Sequence, residues 1–313
     1  MERFLVTGGA GFIGSNICRK LISQGCFVRV LDNLLTGKRA NLADIIDKIE
    51  FIEADMGDEA TARSAVEGID VILHQGALPS VPRSVADPAA THKHCLDATF
   101  TLLLAARAGG IKRFVYAGSS SVYGDSPTLP KVETMPPAPL SPYAAAKLAG
   151  EYYCSVFYKV FGLETISLRY FNVFGPYQDP RSQYAAAIPA FVTAILKDQP
   201  PTVFGDGQQS RDFSYVDNVV NANLLAARAE HTAGEVLNIA CGQVVTVNET
   251  IDTINKLTGK NIKPIYTDSR LGDVKHSLAD ISLAKKIIGY KPTVSFNEGL
   301  RQAIHWYRDN LIN

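Results

Sequence analysis

Apolar positions along the first half of the chain follow two alternating rhythms. Short, mainly apolar runs have the length and make-up of buried strands: Phe4 to Thr7, Phe27 to Leu31, Phe51 to Glu53, Val71 to Leu73, Phe114 to Tyr116 and Thr165 to Leu168. Between them lie longer stretches in which apolar residues return every three or four positions, as on one face of a helix. Ile13, Ile17 and Leu21 mark such a helix from Ile13 to Gln24, stopped by Gly25. Two long helices are predicted, Thr91 to Ala108 ended by Gly109-Gly110, and Pro142 to Phe161 stopped at Gly162. Strands alternating with such helices predict an α/β fold with a doubly wound parallel sheet, whose ligands gather at the carboxyl ends of the strands. Asp32, Asp55, His74 and Ser119 all fall at such ends.

Past Asn172 the rhythm breaks. Gly175-Pro176, Asp179-Pro180, Pro200-Pro201 and Gly205-Asp206-Gly207 cut the chain into short pieces. The expected organisation is a dinucleotide-binding domain over 1–172 and a smaller substrate-binding lobe over 173–313, with 213–229 returning to pack on the first domain.

With 313 residues, the chain can bury a large core. Lysine plus arginine and aspartate plus glutamate number 31 each, so there is no cationic footprint for nucleic acid or for a membrane surface. No run reaches the ~18 apolar residues of a membrane span, and the start of the chain lacks the length of a signal sequence. Cys18, Cys26, Cys95, Cys154 and Cys241 are scattered and odd in number, which reads as reduced thiols in a soluble cytoplasmic protein.

The chemistry begins at Val6-Thr7-Gly8-Gly9-Ala10-Gly11-Phe12-Ile13-Gly14, where a strand passes through a glycine turn into a helix. Gly9, Gly11 and Gly14, or at the tighter spacing Gly8, Gly11 and Gly14, fit a turn that needs positive φ and close approach of backbone to a pyrophosphate, which the helix N-terminus then attracts. Asp32 lies roughly 20 residues on, where a carboxylate binds ribose hydroxyls and repels a 2′-phosphate, favouring NAD over NADP. Lys38 and Arg39 follow closely and could instead reach a phosphate. Asp55-Met56, after the third strand, falls where an adenine would lie.

Tyr143 and Lys147 are one helical turn apart and share a face. A lysine cation beside a phenol favours the phenolate, so Tyr143 is expected to serve as an acid/base with a pKa moved toward neutrality. Ser119, on the same edge of the sheet, offers a hydroxyl for a substrate oxygen, and Ser120 and Ser121 could share that task. His92 and His94 are two apart on a predicted helix and point in different directions, which argues against a metal site.

Four segments together resemble the extended short-chain dehydrogenase/reductases: Thr7 to Gly14, Ser119-Ser120-Ser121-Val122-Tyr123-Gly124, Ser141-Pro142-Tyr143-x-x-x-Lys147, and Leu168 to Pro176. Within that family the chain is most similar to nucleotide-sugar 4-epimerases. Ser80-Val81-Pro82-Arg83-Ser84, Tyr184 to Pro189 and Asp273-Val274-Lys275-His276-Ser277 most resemble those acting on UDP-N-acetylglucosamine. The resemblance implies a Rossmann-like sheet with a smaller C-terminal lobe and bound NAD. It also implies a homodimer formed through a four-helix bundle. It implies dinucleotide contacts at Gly8, Gly11, Phe12, Ile13, Gly14, Asp32, Asn33, Gly37, Asp55, Met56, Gln75, Ala77, Tyr143 and Lys147. UDP-sugar contacts are implied at Ser80, Val81, Ser121, Tyr143, Asn172, Ala187, Arg211, Arg270, Asp273 and Ser277. In the implied mechanism Tyr143 removes the proton of the sugar 4-hydroxyl while Ser119 holds its oxygen. NAD takes the C4 hydride, and the 4-keto sugar turns over to take it back on its other face. Related dehydratases carry acids after the catalytic serine or threonine; Ser120-Ser121 stands there, which favours epimerisation. Ser277 is small at a position flanking the sugar C2 substituent, which implies room for an N-acetyl group. A UDP-glucuronate 4-epimerase, with Arg83 serving the carboxylate, and a catalytically silent NAD-binding regulator are the competing readings.

Overall fold

The computed structural model describes residues 1–180, 186–268 and 275–311. The first domain-sized run of elements is β1 (Arg3–Thr7), α1 (Phe12–Ser23), β2 (Phe27–Asp32), β3 (Glu50–Glu53), α2 (Glu59–Val66) and β4 (Val71–His74). It continues with α3 (Val81–Ala86), α4 (Pro88–His92), α5 (Ala98–Ala108), β5 (Arg113–Ser119), α6 (Pro142–Phe161) and β6 (Glu164–Tyr170). The remainder comprises β7 (Val173–Phe174), α7 (Ala187–Leu196), β8 (Thr202–Phe204), β9 (Ser210–Arg211), β10 (Ser214–Tyr215), α8 (Val216–Arg228) and β11 (Glu235–Ile239). Last come β12 (Val245–Thr246), α9 (Val247–Thr258), β13 (Ile265–Thr267), α10 (Ser282–Ile288) and α11 (Phe296–Leu311).

Seven strands pair in the order β3-β2-β1-β4-β5-β6-β11, all parallel. This is the doubly wound, Rossmann-like sheet, with its switch point between β1 and β4. Alternation along β1 separates two cores: Phe4 and Val6 join α1 and α8 side chains such as Ile17, Leu21 and Val219. Leu5 faces the other way, toward Ala62, Leu102 and Phe157 of α2, α5 and α6. Each such fully buried side chain contributes roughly 1.5–3 kcal/mol. The first core runs without a break into Phe174, Phe213 and Phe296 of the C-terminal half.

Two features depart from the sequence reading. The seventh strand, β11, comes from beyond residue 172, where the chain reads as short broken pieces, and Glu235 and Asn238 interrupt its apolar residues. The expected helix from Thr91 to Ala108 is interrupted by a wide π turn over Lys93–Asp97 between α4 and α5. A local widening of this kind re-aims side chains, and here it lets Leu78 N–H reach Cys95 Sγ and directs His94 to the cavity described below.

Candidate active site

The carboxyl ends of β1, β2, β4, β5 and β6 border a cavity of about 920 Å³. Gly8, Gly11, Phe12, Ile13, Gly14, Asp32, Asn33, Met56, Gln75, Ala77, Tyr143 and Lys147 line it, with Ser80 at its rim. Only one glycine of the turn needs a left-handed backbone, Gly8 at φ +65°; the expectation of positive φ for the others is corrected. What Gly14 supplies is closeness, because a Cβ there would sit 2.2 Å from the Gly8 carbonyl oxygen. A Cβ on Gly11 would meet one atom only, the same oxygen at 3.1 Å, so its open side faces the cavity. No side chain caps α1, and its first N–H groups remain available to an anion.

Asp32 is buried, and its carboxylate accepts Ala10 N–H at 2.9 Å and Leu34 N–H at 2.8 Å. The turn thus aims the acid at the cavity while each oxygen keeps a lone pair. Burial pushes its pKa up, against those two hydrogen bonds. Lys38 pairs with Asp179, and Arg39 lies 3.5 Å from Glu53, so both cations near Asp32 are matched by acids. Gly37 packs on the Asp32 carboxylate, where a Cβ would come within 2.9 Å of it. Asp55 does not line the cavity; it holds Gly57 N–H at 2.8 Å and Asn33 Nδ2 at 3.4 Å.

Ser141 caps α6 by accepting Ala144 N–H at 3.1 Å, and this starts the helix one residue before Tyr143. Lys147, 2% exposed, donates to the Ala117 carbonyl at 2.8 Å and sits 4.8 Å from the Tyr116 ring. Burial pulls its pKa down. The expected lowering of the Tyr143 pKa by Lys147 is not what the protein's own groups produce. Burial raises it well above the ordinary phenol, and the nearby Ser119 hydroxyl opposes the rise. The ammonium is committed to a backbone carbonyl instead. Ser119 Oγ lies 2.8 Å from Ser121 Oγ and accepts Ser121 N–H at 3.2 Å.

On the other side, Asn172, Arg211 and Ser277 come together, outside the residues that line the cavity. Asn172 Nδ2 donates to the Asp212 carbonyl at 3.0 Å and approaches Ser277 Oγ at 3.4 Å. Arg211 Nη1 donates to the Ser210 and Lys275 carbonyls at 3.0 and 3.1 Å. Ser277 N–H donates to the Ser210 carbonyl at 3.1 Å. Val81 and Ala187 begin α3 and α7, and neither is among the residues that line the cavity. Arg270 and Asp273 lie outside the described residues.

Tyr177, Trp306 and Asn310 line the cavity without having been singled out in the sequence; His94 and Tyr170 line it too, though neither was given a role there, and so does Arg83, considered only for a carboxylate. Backbone strain is a signal that only the structure carries. Leu34 (φ +57°), Ser80 (+112°), Asn172 (+38°) and Tyr177 (+69°) are non-glycine residues at positive φ around the site. Such conformers cost roughly 1–3 kcal/mol each and gather where function over-determines geometry. Among the described residues, no group of three or more His, Cys, Asp or Glu side chains could hold a metal ion, and no helix could cross a membrane.

A glycine cradle at a free helix N-terminus, with a carboxylate oriented across the same cavity, fits a dinucleotide with an unphosphorylated ribose. Comparison with known proteins agrees. Residues 4–240 match the model of the NAD dependent epimerase/dehydratase family. A putative UDP-glucose 4-epimerase of Methanocaldococcus jannaschii is 39% identical over 98% of both chains. The solved UDP-N-acetylglucosamine 4-epimerase from Methanobrevibacter ruminantium M1, in complex with UDP-N-acetylmuramic acid, superposes with a TM-score of 0.95 at 40% identity, covering 99% of each chain. A UDP-glucose 4-epimerase from Thermus thermophilus, complexed with NAD, gives 0.91 at 35% identity, over 99% of this chain and 100% of that one.

Proposed function

The chain belongs to the NAD dependent epimerase/dehydratase family, and on that premise we propose that it is a UDP-sugar 4-epimerase, an isomerase interconverting UDP-GlcNAc with UDP-GalNAc and UDP-Glc with UDP-Gal. The observation that carries this reading is the convergence of Tyr143, Lys147 and the glycine cradle on one cavity, with Ser119 at the carboxyl end of β5. When bound, NAD supplies a ring that accepts a hydride from the sugar and returns it, and a positive charge beside the phenol.

Tyr143 takes the proton of the 4-hydroxyl and later gives it back, and Ser119 orients that oxygen between the two transfers. Lys147, tied to the Ala117 carbonyl, holds the wall of the site one helical turn from Tyr143. Ser120 and Ser121 place hydroxyls, not carboxylates, next to Ser119, so no acid stands ready to eliminate water from the sugar. Residues 1–172 carry the dinucleotide in this proposal, and residues 173–313 the nucleotide sugar, with Asn172, Arg211, Arg270 and Asp273 on UDP. Anchoring the nucleotide firmly while the sugar turns over is what a two-faced transfer requires. The exposed apolar side chains Phe100, Leu104, Tyr152, Val156 and Val160 on α5 and α6 support a homodimer through these helices.

The N-acetyl preference rests on Ser277, a small side chain beside Asn172. One observation favours a UDP-glucuronate 4-epimerase instead: Arg83 lines the cavity next to Ser80. Incubating the purified protein with each UDP-sugar, without added NAD, and reading products by NMR decides between them. Turnover of UDP-GlcNAc is expected; turnover of UDP-glucuronate alone would replace the first reading by the second, and no turnover at all would remove both. Ser277→Tyr is expected to lose the N-acetylated pair and keep UDP-glucose. Equal loss of both pairs would refute the size argument.

A further inference from the structure

Three side chains distant in sequence close a ring of hydrogen bonds on the cavity wall. Asn223 of α8 is completely buried, and its Nδ2 donates to the Val219 carbonyl and to Tyr170 Oη, both at 2.8 Å. A carbonyl can only accept, so the Asn223 amide has one possible orientation. Its Oδ1 then accepts Gln75 Nε2–H at 3.0 Å, which fixes the Gln75 amide in turn. Tyr170 Oη lies 3.1 Å from both Gln75 Oε1 and Asn223 Oδ1. It has one hydrogen, and Asn223 Oδ1 is already served, so that hydrogen goes to Gln75 Oε1. The three bonds run one way around the ring: Tyr170 to Gln75, Gln75 to Asn223, Asn223 to Tyr170. Bonds in such a circuit strengthen one another. One N–H of Gln75 Nε2 is left outside it, and both Gln75 and Tyr170 line the same cavity as Tyr143.

We propose that Asn223 is a positioning residue: it holds the Tyr170 phenol as a committed donor and directs the spare N–H of Gln75 to the polar part of the bound dinucleotide, leaving Tyr143 as the phenol that exchanges its proton. This rests on the dinucleotide-binding part of the function proposed above. Burial keeps the Tyr170 proton bound, in agreement with that assignment. No motif contains Asn223; α8 delivers it to the sheet by packing against β4, β5 and β6.

The test measures release of bound dinucleotide from the purified holoprotein, in the absence of any sugar, for Asn223→Asp, Tyr170→Phe and the double variant. Asn223→Asp preserves size but cannot donate to Val219 or Tyr170, and it draws the Tyr170 hydrogen away from Gln75. Loss of one such bond is expected to speed release about 5- to 10-fold. The double variant should release no faster than the worse single one, because the ring fails as a unit. In turnover assays kcat is expected to fall about as far while KM for the nucleotide sugar stays within twofold. If Asn223→Asp does not fold, Tyr170→Phe, which deletes one oxygen, decides by the same release rate. Unchanged release with only a lower melting temperature overturns the proposal and leaves a structural role. Wild-type protein that turns over no UDP-sugar would end the epimerase reading but not this comparison.

Discussion

On the dinucleotide side, Gly8, Asp32, Gln75 and Ser119 stand at or just past the carboxyl ends of neighbouring parallel strands, and the sheet's register sets their spacing. On the side where Asn172, Arg211 and Ser277 gather, the ladders β10-β7 and β12-β9 are two residues long and β13-β8 three. There a buried carboxylate does what strands do elsewhere. Asp212, completely buried, accepts the N–H groups of Cys241 at 2.9 Å, Gly242 at 3.0 Å and Ala279 at 3.2 Å. One wall is held by repeating backbone pairs, the other by a single side chain that ties its own segment to two others. Losing one pair from a ladder is a local event; changing Asp212 unties several segments at once.

The largest expected effect concerns the first wall's chemistry. Tyr143→Phe should reduce epimerisation about 10²–10⁴-fold with dinucleotide content unchanged. Retained turnover in the NMR assay would take Tyr143 out of the mechanism. Next comes the cradle: Gly14→Ala places a methyl 2.2 Å from the Gly8 oxygen, with backbone on both sides of the clash. Overpacking of this sort costs typically about 1–3 kcal/mol, and here it also distorts the anion site. The variant is expected to purify without dinucleotide, as read by the ratio of nucleotide to protein absorbance.

A third prediction sets the two walls against each other by pH. His74, at the end of β4, is completely buried between Thr7 Oγ1 at 2.7 Å and Thr99 Oγ1 at 2.8 Å. Thr99 donates to the Cys95 carbonyl, so it accepts from Nε2–H, and the ring is neutral with Nδ1 accepting from Thr7. Burial pulls the His74 pKa from 6.5 to about 3. Its contribution to stability is present above pH 6.5 and is lost as pH falls toward 3, because the unfolded chain binds the proton first. Asp212 has the opposite sign: burial raises it from 3.8 to about 6. Its contribution is present below 3.8 and is lost as pH rises through 6. Each slope is at most ~1.4 kcal/mol per pH unit, so the two oppose one another between about pH 4 and 6. In His74→Gln the His74 slope is removed, so stability in urea should rise less, or fall more, with pH across that window than it does in the wild type. A variant whose stability follows pH there as the wild type's does would contradict the assignment.

The smallest effect belongs to the rim. Lys38 and Asp179 are 45% and 33% exposed, and an ion pair so placed contributes ~0–1 kcal/mol. Lys38→Ala should therefore speed dinucleotide release no more than about fivefold. A larger change would mean that the segment carrying Tyr177 and Asp179 closes over the dinucleotide more firmly than surface electrostatics allow.

Much of the first wall was legible in the chain because its signals are local. Gly8 to Gly14, Asp32 at the end of β2, and the Tyr143–Lys147 turn of α6 each report on neighbours within a few residues. The second wall was less so. Two-residue ladders leave no apolar period, and nothing in the string Ser210-Arg211-Asp212 tells that its acid will gather Cys241, Gly242 and Ala279. The π turn at Lys93–Asp97 was missed for a related reason, since no Gly or Pro marks it and only the contact of Cys95 with Leu78 distinguishes it. What surrounds the Tyr143–Lys147 turn was not legible: burial raises the phenol, and the ammonium donates to the Ala117 carbonyl.

The amino-acid sequence by itself determined the alternation of strand and helix, the glycine turn with its acid, and the helical turn that joins a phenol to a lysine. These depend on steric rules and periodicities that act over at most a few helical turns. Tertiary structure alone decided that β11 completes the sheet, that Asp212 anchors the segments at Cys241 and Ala279, and that Gln75, Tyr170 and Asn223 meet in one ring. Hydrogen-bond direction and burial depend on which distant groups arrive beside each other, and the packing of α8 on the sheet brings them there.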